Sequence, residues 1–515
     1  MDQEDKEAGA ELSDDLKERK PNQSKEKPKP IKGDKLSATN TGDSSAIAIG
    51  RSARAFVINI YSSTYGLVFL GLVLVVISGV AVYLFLHSAS PPKMTGEFNI
   101  AVASFSMLDG STPSPVGQDV ALVFSRRLEA ELSYFADQST TIKVFQILPP
   151  SQTGTISGKT SEERALRAKA LAKEINAQLV IYGTVEKQGN DYIVSPEFVV
   201  AIRYIKDAEE LLGQYRLGSP ITIKNSIDNL PSVLAFNREL SDRSSALASI
   251  TLGMFNYFVE RYPEALSYYK KADDVSGWQP KDGKEVLYVL MGNAAAKNGK
   301  LEEALKFYTD AQATNADYAR GYIGLATVTF RQAITDPSKI DYPKVEESIL
   351  LFQKAMSAKD RPASSFVDFK ARFGLGEARL LLTQARKVDL LIAAQDDFLY
   401  VTNFYRSNPE ELLRDRASQA QAHLGLVAYI QGAPMNQVRE HYDQAATIAR
   451  DYDLDLAARY WEQLGLLYQK QNDLVSASDM LTQAIKMTTS ATDKRRIEAE
   501  LEIVSRLLVT PRSPP

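Results

Sequence analysis

The chain has 515 residues, 44% of them hydrophobic and 24% charged, with a formal net charge of -4 at pH 7. It is too long for one compact core, and its charge balance offers no general basic surface for nucleic-acid phosphates, so no nucleic-acid partner is expected. With no cysteine and three histidines, it has no disulfide framework, thiolate zinc site or cysteine nucleophile, and little material for a histidine cluster. No cofactor, metal site or catalytic residue is therefore expected.

The chain opens on a tail, residues 1–55, expected to be disordered and cytoplasmic. Up to about residue 45 it is rich in Glu, Lys, Asp, Ser and Pro and nearly lacks large apolar side chains, so it cannot bury enough surface to offset ordering entropy. Its basic stretch KERKPNQSKEKPKPIKGDK reads as a solvated run, with contact to anionic lipid headgroups as the alternative. Residues 44–61, SSAIAIGRSARAFVINIY, alternate small and β-branched side chains in the manner of a short strand or hairpin.

From Gly66 to Leu86 the run GLVFLGLVLVVISGVAVYLFL carries no charge, and about 20 apolar residues in a helix cover the hydrocarbon core of a bilayer. The spacing predicts a transmembrane helix over 66–86, in contact with lipid. Arg51 and Arg54 precede it and Lys93 follows, which places the N-terminus in the cytoplasm and the later domains outside, in a single-pass protein of the cell membrane.

Residues 96–222 alternate strand and helix patterns. FNIAVASF is an apolar strand, and Val120, Phe124, Leu128 and Leu132 then fall on one helical face. TIKVFQIL is a second strand. Thr160 and Glu163 form a capping box that opens a helix with Leu171 and Ile175 on one face. LVIYGTVE then turns at QGND into YIVSPEFVVAI, a hairpin.

The strand IAVASF, the helix ending AKEINAQ and the strand LVIYGTV with its polar hairpin resemble the N-terminal α/β domain of TolB and related bacterial envelope domains. Ala177 and Gln178 stand where that family has a small residue and Asp, and Ser104 where it has Pro. The resemblance implies an interaction module without catalytic residues, in a bacterial protein. Within the module GTISGKT is reminiscent of a phosphate loop, but three residues, not four, separate Gly154 from Gly158. The segment is read as a flexible loop with a helix cap.

From 240 to 508 the pattern becomes paired helices. Trp461, Leu464, Gly465 and Tyr468 on one helix, with Ala477, Leu481 and Ala484 on the next, resemble the tetratricopeptide repeat (TPR). The same skeleton recurs as Leu252, Gly253, Ala265, Tyr269 and Ala272, and as Tyr288, Gly292, Ala304, Tyr308 and Ala311. Weaker copies contain Tyr322, Ala326 and Phe352, then Gly376 and Phe398, then Gly425 and Tyr442. Small Gly and Ala let helices approach while aromatic rings fill the gaps between them. SGWQPKDGK and AITDPSKIDYP lengthen the spacing, and DKRRIEAELEIVSRLLV reads as a C-terminal capping helix.

The expected fold class is thus multidomain: one transmembrane helix, a small α/β domain and an all-α solenoid of tetratricopeptide type. In such arrays the first helix of each pair lines a concave face that accepts a peptide. Transferring those positions gives Tyr257, Asn293, Lys297, Arg320, Arg331, Tyr429 and Lys470 as candidate partner-binding residues. The expected function is a membrane-tethered scaffold binding a protein or peptide in that groove. The alternatives are a transmembrane sensor that couples an outside ligand to a cytoplasmic partner, and a nucleotide-binding enzyme using the Lys159 loop. Oligomeric state is open.

Overall fold

The computed structural model describes residues 91–109, 114–138, 145–201, 211–224, 237–280, 283–362, 364–385, 390–410 and 413–509. The expected tail over 1–55, the segment at 44–61 and the apolar run over 66–86, with its lipid contact, lie outside the described residues. The expected fold class needs correction. Among the described residues no helix is long and apolar enough to cross a membrane, so the described fold is mostly helical with one small sheet, and a transmembrane helix is not part of it.

The first part comprises β1 (Phe98–Val102), β2 (Ser104–Met107), α1 (Pro115–Gln138), β3 (Phe145–Leu148), α2 (Pro150–Thr153), β4 (Thr155–Ile156) and α3 (Ser161–Ile175). It continues through β5 (Leu179–Gln188), β6 (Asp191–Val200), β7 (Gly213–Arg216) and β8 (Ile221–Ile223). β1 and β2 lie end to end along one edge of β5, both parallel to it. Ile100 faces Leu179 while Ser106 faces Thr184, so the β1–β2 side carries one extra residue, a bulge near Ala103. β3 and β4 continue the parallel sheet outside β1 and β2, while β6 is antiparallel to β5 and carries β7 and β8 on its far edge.

Strand alternation divides this sheet into two faces. Ile100, Val102, Ile181 and Phe198 pack with Val120, Phe124 and Leu128 of α1. Their neighbours Ala101, Val180, Tyr182 and Val199 pack on Ala165, Ala168 and Ala172 of α3. α3 starts as the sequence predicts: Glu163 N donates to Thr160 Oγ1 over 3.2 Å, and Lys159 N donates to Glu163 Oε2 over 2.9 Å.

The helical part follows as α4 (Arg238–Phe258), α5 (Tyr262–Asp273), α6 (Glu285–Lys297), α7 (Leu301–Thr314), α8 (Ala319–Ala333), α9 (Tyr342–Ser357) and α10 (Ser364–Gln384). It ends with α11 (Leu390–Ser407), α12 (Arg414–Ile430), α13 (Met435–Arg450), α14 (Leu454–Lys470), α15 (Leu474–Met487) and α16 (Ala491–Val509). Consecutive helices from α4 to α15 pack as hairpins, each against the next.

Gly292 and Gly324 show why the spacing holds: a Cβ at either would run into the Tyr308 ring, so α6 and α8 close on that ring from two sides. Gly253 stands likewise against Tyr269, Gly376 against Phe398, and Gly425 against Tyr442. The fixed side-chain sizes of the repeat are the shape of these contacts.

Sheet and helices are not separate bodies: residues Ser90–Pro515 form one compact unit. Phe98 packs on Phe255 and Phe258 with ring centroids 5.8 and 5.5 Å apart, and Phe145 lies 5.0 Å from Phe255. One apolar core runs unbroken from β1 through α4 to Val328 of α8. The insertion SGWQPKDGK reinforces this seam. Its Trp278 is fully buried, with Arg243 at 5.4 Å and Lys284 at 5.7 Å from the ring centre, and Arg243 donates to the Leu217 carbonyl over 2.9 Å.

Candidate functional site

A cleft of about 500 Å³ opens along α6, α8, α10 and α12, the first helices of four successive hairpins. Of the seven residues predicted to bind a partner, Asn293, Lys297, Arg320 and Arg331 line it. Tyr257, Tyr429 and Lys470 do not. Tyr257 is 1% exposed and edge-on to Tyr262 at 5.1 Å, because α4 is covered by the sheet on one side and by the next hairpin on the other. Every residue from Ile250 to Phe258 is buried. Tyr429 is half-buried against the C-terminal apolar cluster, and Lys470 is exposed at the end of α14.

Asn293 is buried at the cleft wall. Its Oδ1 accepts the Tyr308 hydroxyl proton at 2.6 Å, while its Nδ2 has no hydrogen-bond partner among the described residues. The amide is therefore held in the wall by its acceptor end, with its nitrogen buried. Arg320, also buried, turns its guanidinium away from the opening: Nη1 donates to the Tyr215 hydroxyl at 2.6 Å and Nη2 to the Leu212 carbonyl at 2.8 Å. Arg331 makes a long 3.5 Å bond to the Ala296 carbonyl and is otherwise exposed.

Four charged lining residues were not among the sequence candidates. Lys370 lies 4.9 Å from the centre of the Phe366 ring, and Arg416 lies 4.7 Å from that of Phe373. Cation–π contact of this kind fixes a long basic side chain over an apolar floor. The spacing Phe366–Lys370, four residues apart on one helix, was a signal in the sequence; Arg416 over Phe373 joins two helices and had none. Glu377 and Asp415 supply negative charge near the α10–α12 end, with His423 Nε2 3.8 Å from Glu377 Oε1. Five cations against two carboxylates leave the lining basic.

The GTISGKT segment does something other than wrap phosphate. Thr155 and Ile156 pair with β2, and the backbone N–H groups of Lys159, Glu163 and Arg164 are taken by Glu163, Thr160 Oγ1 and the Thr160 carbonyl. Arg164 is buried, bonded to Glu197 at 2.6 Å and to the Gly158 carbonyl at 3.1 Å. Tyr182 beside them is buried, which pushes its phenol well above the usual range. The loop is thus held from below by an ion pair, and the Glu163 and Arg164 donors at the helix start are occupied. Among the described residues no group of three or more His, Asp or Glu is placed to hold a metal ion.

A second, polar hollow of about 640 Å³ lies between α11, α12 and α13. In it Gln421 is held between Gln444 and His441, whose ring burial lowers its pKa.

The fold and cleft define a class: an array of helix hairpins, closed at its first hairpin by an α/β sheet, with a basic cleft on the first-helix face. No family model matches the chain, and no curated relative does. The solved structures it matches include tetratricopeptide repeat proteins. A thermophilic TPR protein of Thermus thermophilus is 18% identical over 42% of this chain and 96% of its own, with a TM-score of 0.30. PilF of Pseudomonas aeruginosa is 16% identical over 50% of this chain and 99% of its own, TM-score 0.34. YrrB, a TPR protein with an unusual peptide-binding site, is 16% identical over 45% and 97%, TM-score 0.27. The likeness is one of fold alone, and the reading of the array rests on its own glycine–ring packing.

Proposed function

We propose that the chain is a protein-interaction scaffold whose cleft takes an extended peptide bearing acidic side chains. The observation that carries this reading is the row of cationic side chains along the cleft. Lys297, Arg331, Lys370 and Arg416 line it and carry only N–H donors, while the Asn293 amide is buried in the wall with its oxygen bonded to Tyr308. A lining made largely of donors selects a ligand made of acceptors, namely peptide carbonyls and carboxylates. Phe366, Phe373 and Ile323 give apolar area between the charges, which is where binding energy concentrates in such grooves. Glu377 and Asp415 at one end oppose an acidic residue there and so set the direction of the bound chain.

The test compares two labelled pools of random dodecapeptides, one enriched in Asp and Glu and the other in Lys and Arg, by fluorescence anisotropy with the full chain. The acidic pool is expected to bind, to weaken as salt rises, and to lose affinity on Lys370→Glu or Arg416→Glu. Equal binding of the two pools, unaffected by either reversal, rejects the reading.

A further inference from the structure

Arg320 belongs to two places at once. It lines the cleft from the first turn of α8, and its guanidinium is gripped by the sheet. The plane of that group lies over the Tyr215 ring, 4.5 Å from its centre. Tyr215 is fully buried, stacked on Phe198 of β6 at 5.0 Å, and its own hydroxyl donates to the Leu211 carbonyl at 2.7 Å. Between Leu212 and Tyr215, the two residues that Arg320 contacts, sits Gly213 at φ +120°, where any Cβ would run into Arg320 Nη2. The entry to β7 is therefore shaped around the guanidinium. At the other end of the same strand Arg243 holds the Leu217 carbonyl, so β7 is fastened to the array at both ends.

We propose that the α/β module is a working part of the peptide groove: β7 holds Arg320 in the groove wall, so affinity for a groove ligand depends on Tyr215, which no ligand touches. This rests on the peptide-groove reading above. Without these partners the first turn of α8, which lines the cleft, loses its fixed position and must be reordered when a ligand arrives. The sheet does that ordering in advance. Arg320 spends Nη1 and Nη2 on the module and its Nε is buried, so its part in the groove is to place the first turn of α8, not to donate to the ligand. Linkage makes the dependence reciprocal: a ligand that favours the fastened Arg320 also tightens β7 on the array.

The experiment begins with a phage-displayed random dodecapeptide library panned on the full chain, keeping clones whose binding falls with Lys370→Glu. For those peptides Tyr215→Phe, which removes only the hydroxyl that accepts from Arg320, is expected to weaken binding about tenfold, as contacting pairs in one network do. In an Arg320→Met background the same Tyr215→Phe change is expected to have no further effect, a result that a merely structural role for Tyr215 does not produce. Bound peptide is expected to slow hydrogen exchange at the amides of Leu212 to Arg216. Unchanged affinity in Tyr215→Phe, or an equal loss in both backgrounds, overturns this proposal alone. Failure to recover any clone sensitive to Lys370→Glu overturns the groove reading and this proposal together.

Discussion

The Tyr308 hydroxyl donates to the Asn293 side-chain oxygen across 2.6 Å, while the ring of the same tyrosine is the body for which Gly292 and Gly324 leave room. One residue thus spaces two hairpins and orients the amide at the cleft. Tyr308→Phe keeps the spacing and removes the orientation. It leaves a buried acceptor unpaired, at a cost of about 1–3 kcal/mol, read from urea unfolding.

Gly324→Ala tests the spacing itself. The added methyl meets the Tyr308 ring, and overpacking of this kind costs about 1–3 kcal/mol. A lower urea midpoint with an unchanged slope is the expected result, and Tyr308→Leu in the same chain should recover part of the loss.

Asp397 is 1% exposed and bonded to both Arg372 and Arg379. Asp397→Asn keeps its shape and removes its charge, leaving two guanidinium groups without their counter-ion beneath α10 and α11. Both arginines are partly exposed and burial already raises the Asp397 pKa, so a loss of about 1–3 kcal/mol is expected, measured by thermal or urea unfolding. Arg127→Gln, which removes an exposed pair with Glu131, is expected to change stability by less than about 1 kcal/mol.

The hairpins were legible in the sequence because each glycine–ring contact demands particular residue sizes at a fixed spacing, and Gly253, Gly292, Gly376 and Gly425 all occupy such positions. The strands and the Thr160 cap were legible from alternation and from local hydrogen-bonding chemistry. The seam was not. Phe98, Phe145, Phe255 and Phe258 look like ordinary core residues of two domains, and no linear spacing tells that they share one core. That shared core also explains Tyr257 and Arg320. Both occupy helix positions that face a groove in a free-standing array, but here the first is buried against Tyr262 within the shared core and the sheet grips the second. In the sequence SGWQPKDGK shows only a lengthened repeat spacing, whereas its Trp278 is a buried part of the joint.

Asp455 gives a pH dependence with a definite sign. Its carboxylate accepts from Thr488 Oγ1, and then from Thr489 N, Thr489 Oγ1 and Ser490 N, which lowers its pKa to about 2. Since the folded value lies below the unfolded one of about 3.9, the stabilisation is present above about pH 4. It is lost as pH falls towards 2. The effect is on the order of 1 kcal/mol once solvent screening is allowed for, and it acts on the connection between α15 and α16. An acid titration followed by circular dichroism should show loss of helix in that window, and Asp455→Asn should flatten it.

Because the sheet is packed directly onto α4 and shares its core, the array is stoppered at that end. A duplicated hairpin inserted between sheet and α4 would have to recreate the Phe98–Phe255 contact and the grips of Arg243 and Arg320 on β7. At the opposite end α16 leaves Ile503, Leu507 and Leu508 exposed, so another hairpin could stack there without dismantling anything. Lineages of this protein should therefore differ in length at the far terminus of the stack and keep the count of hairpins between sheet and cleft constant.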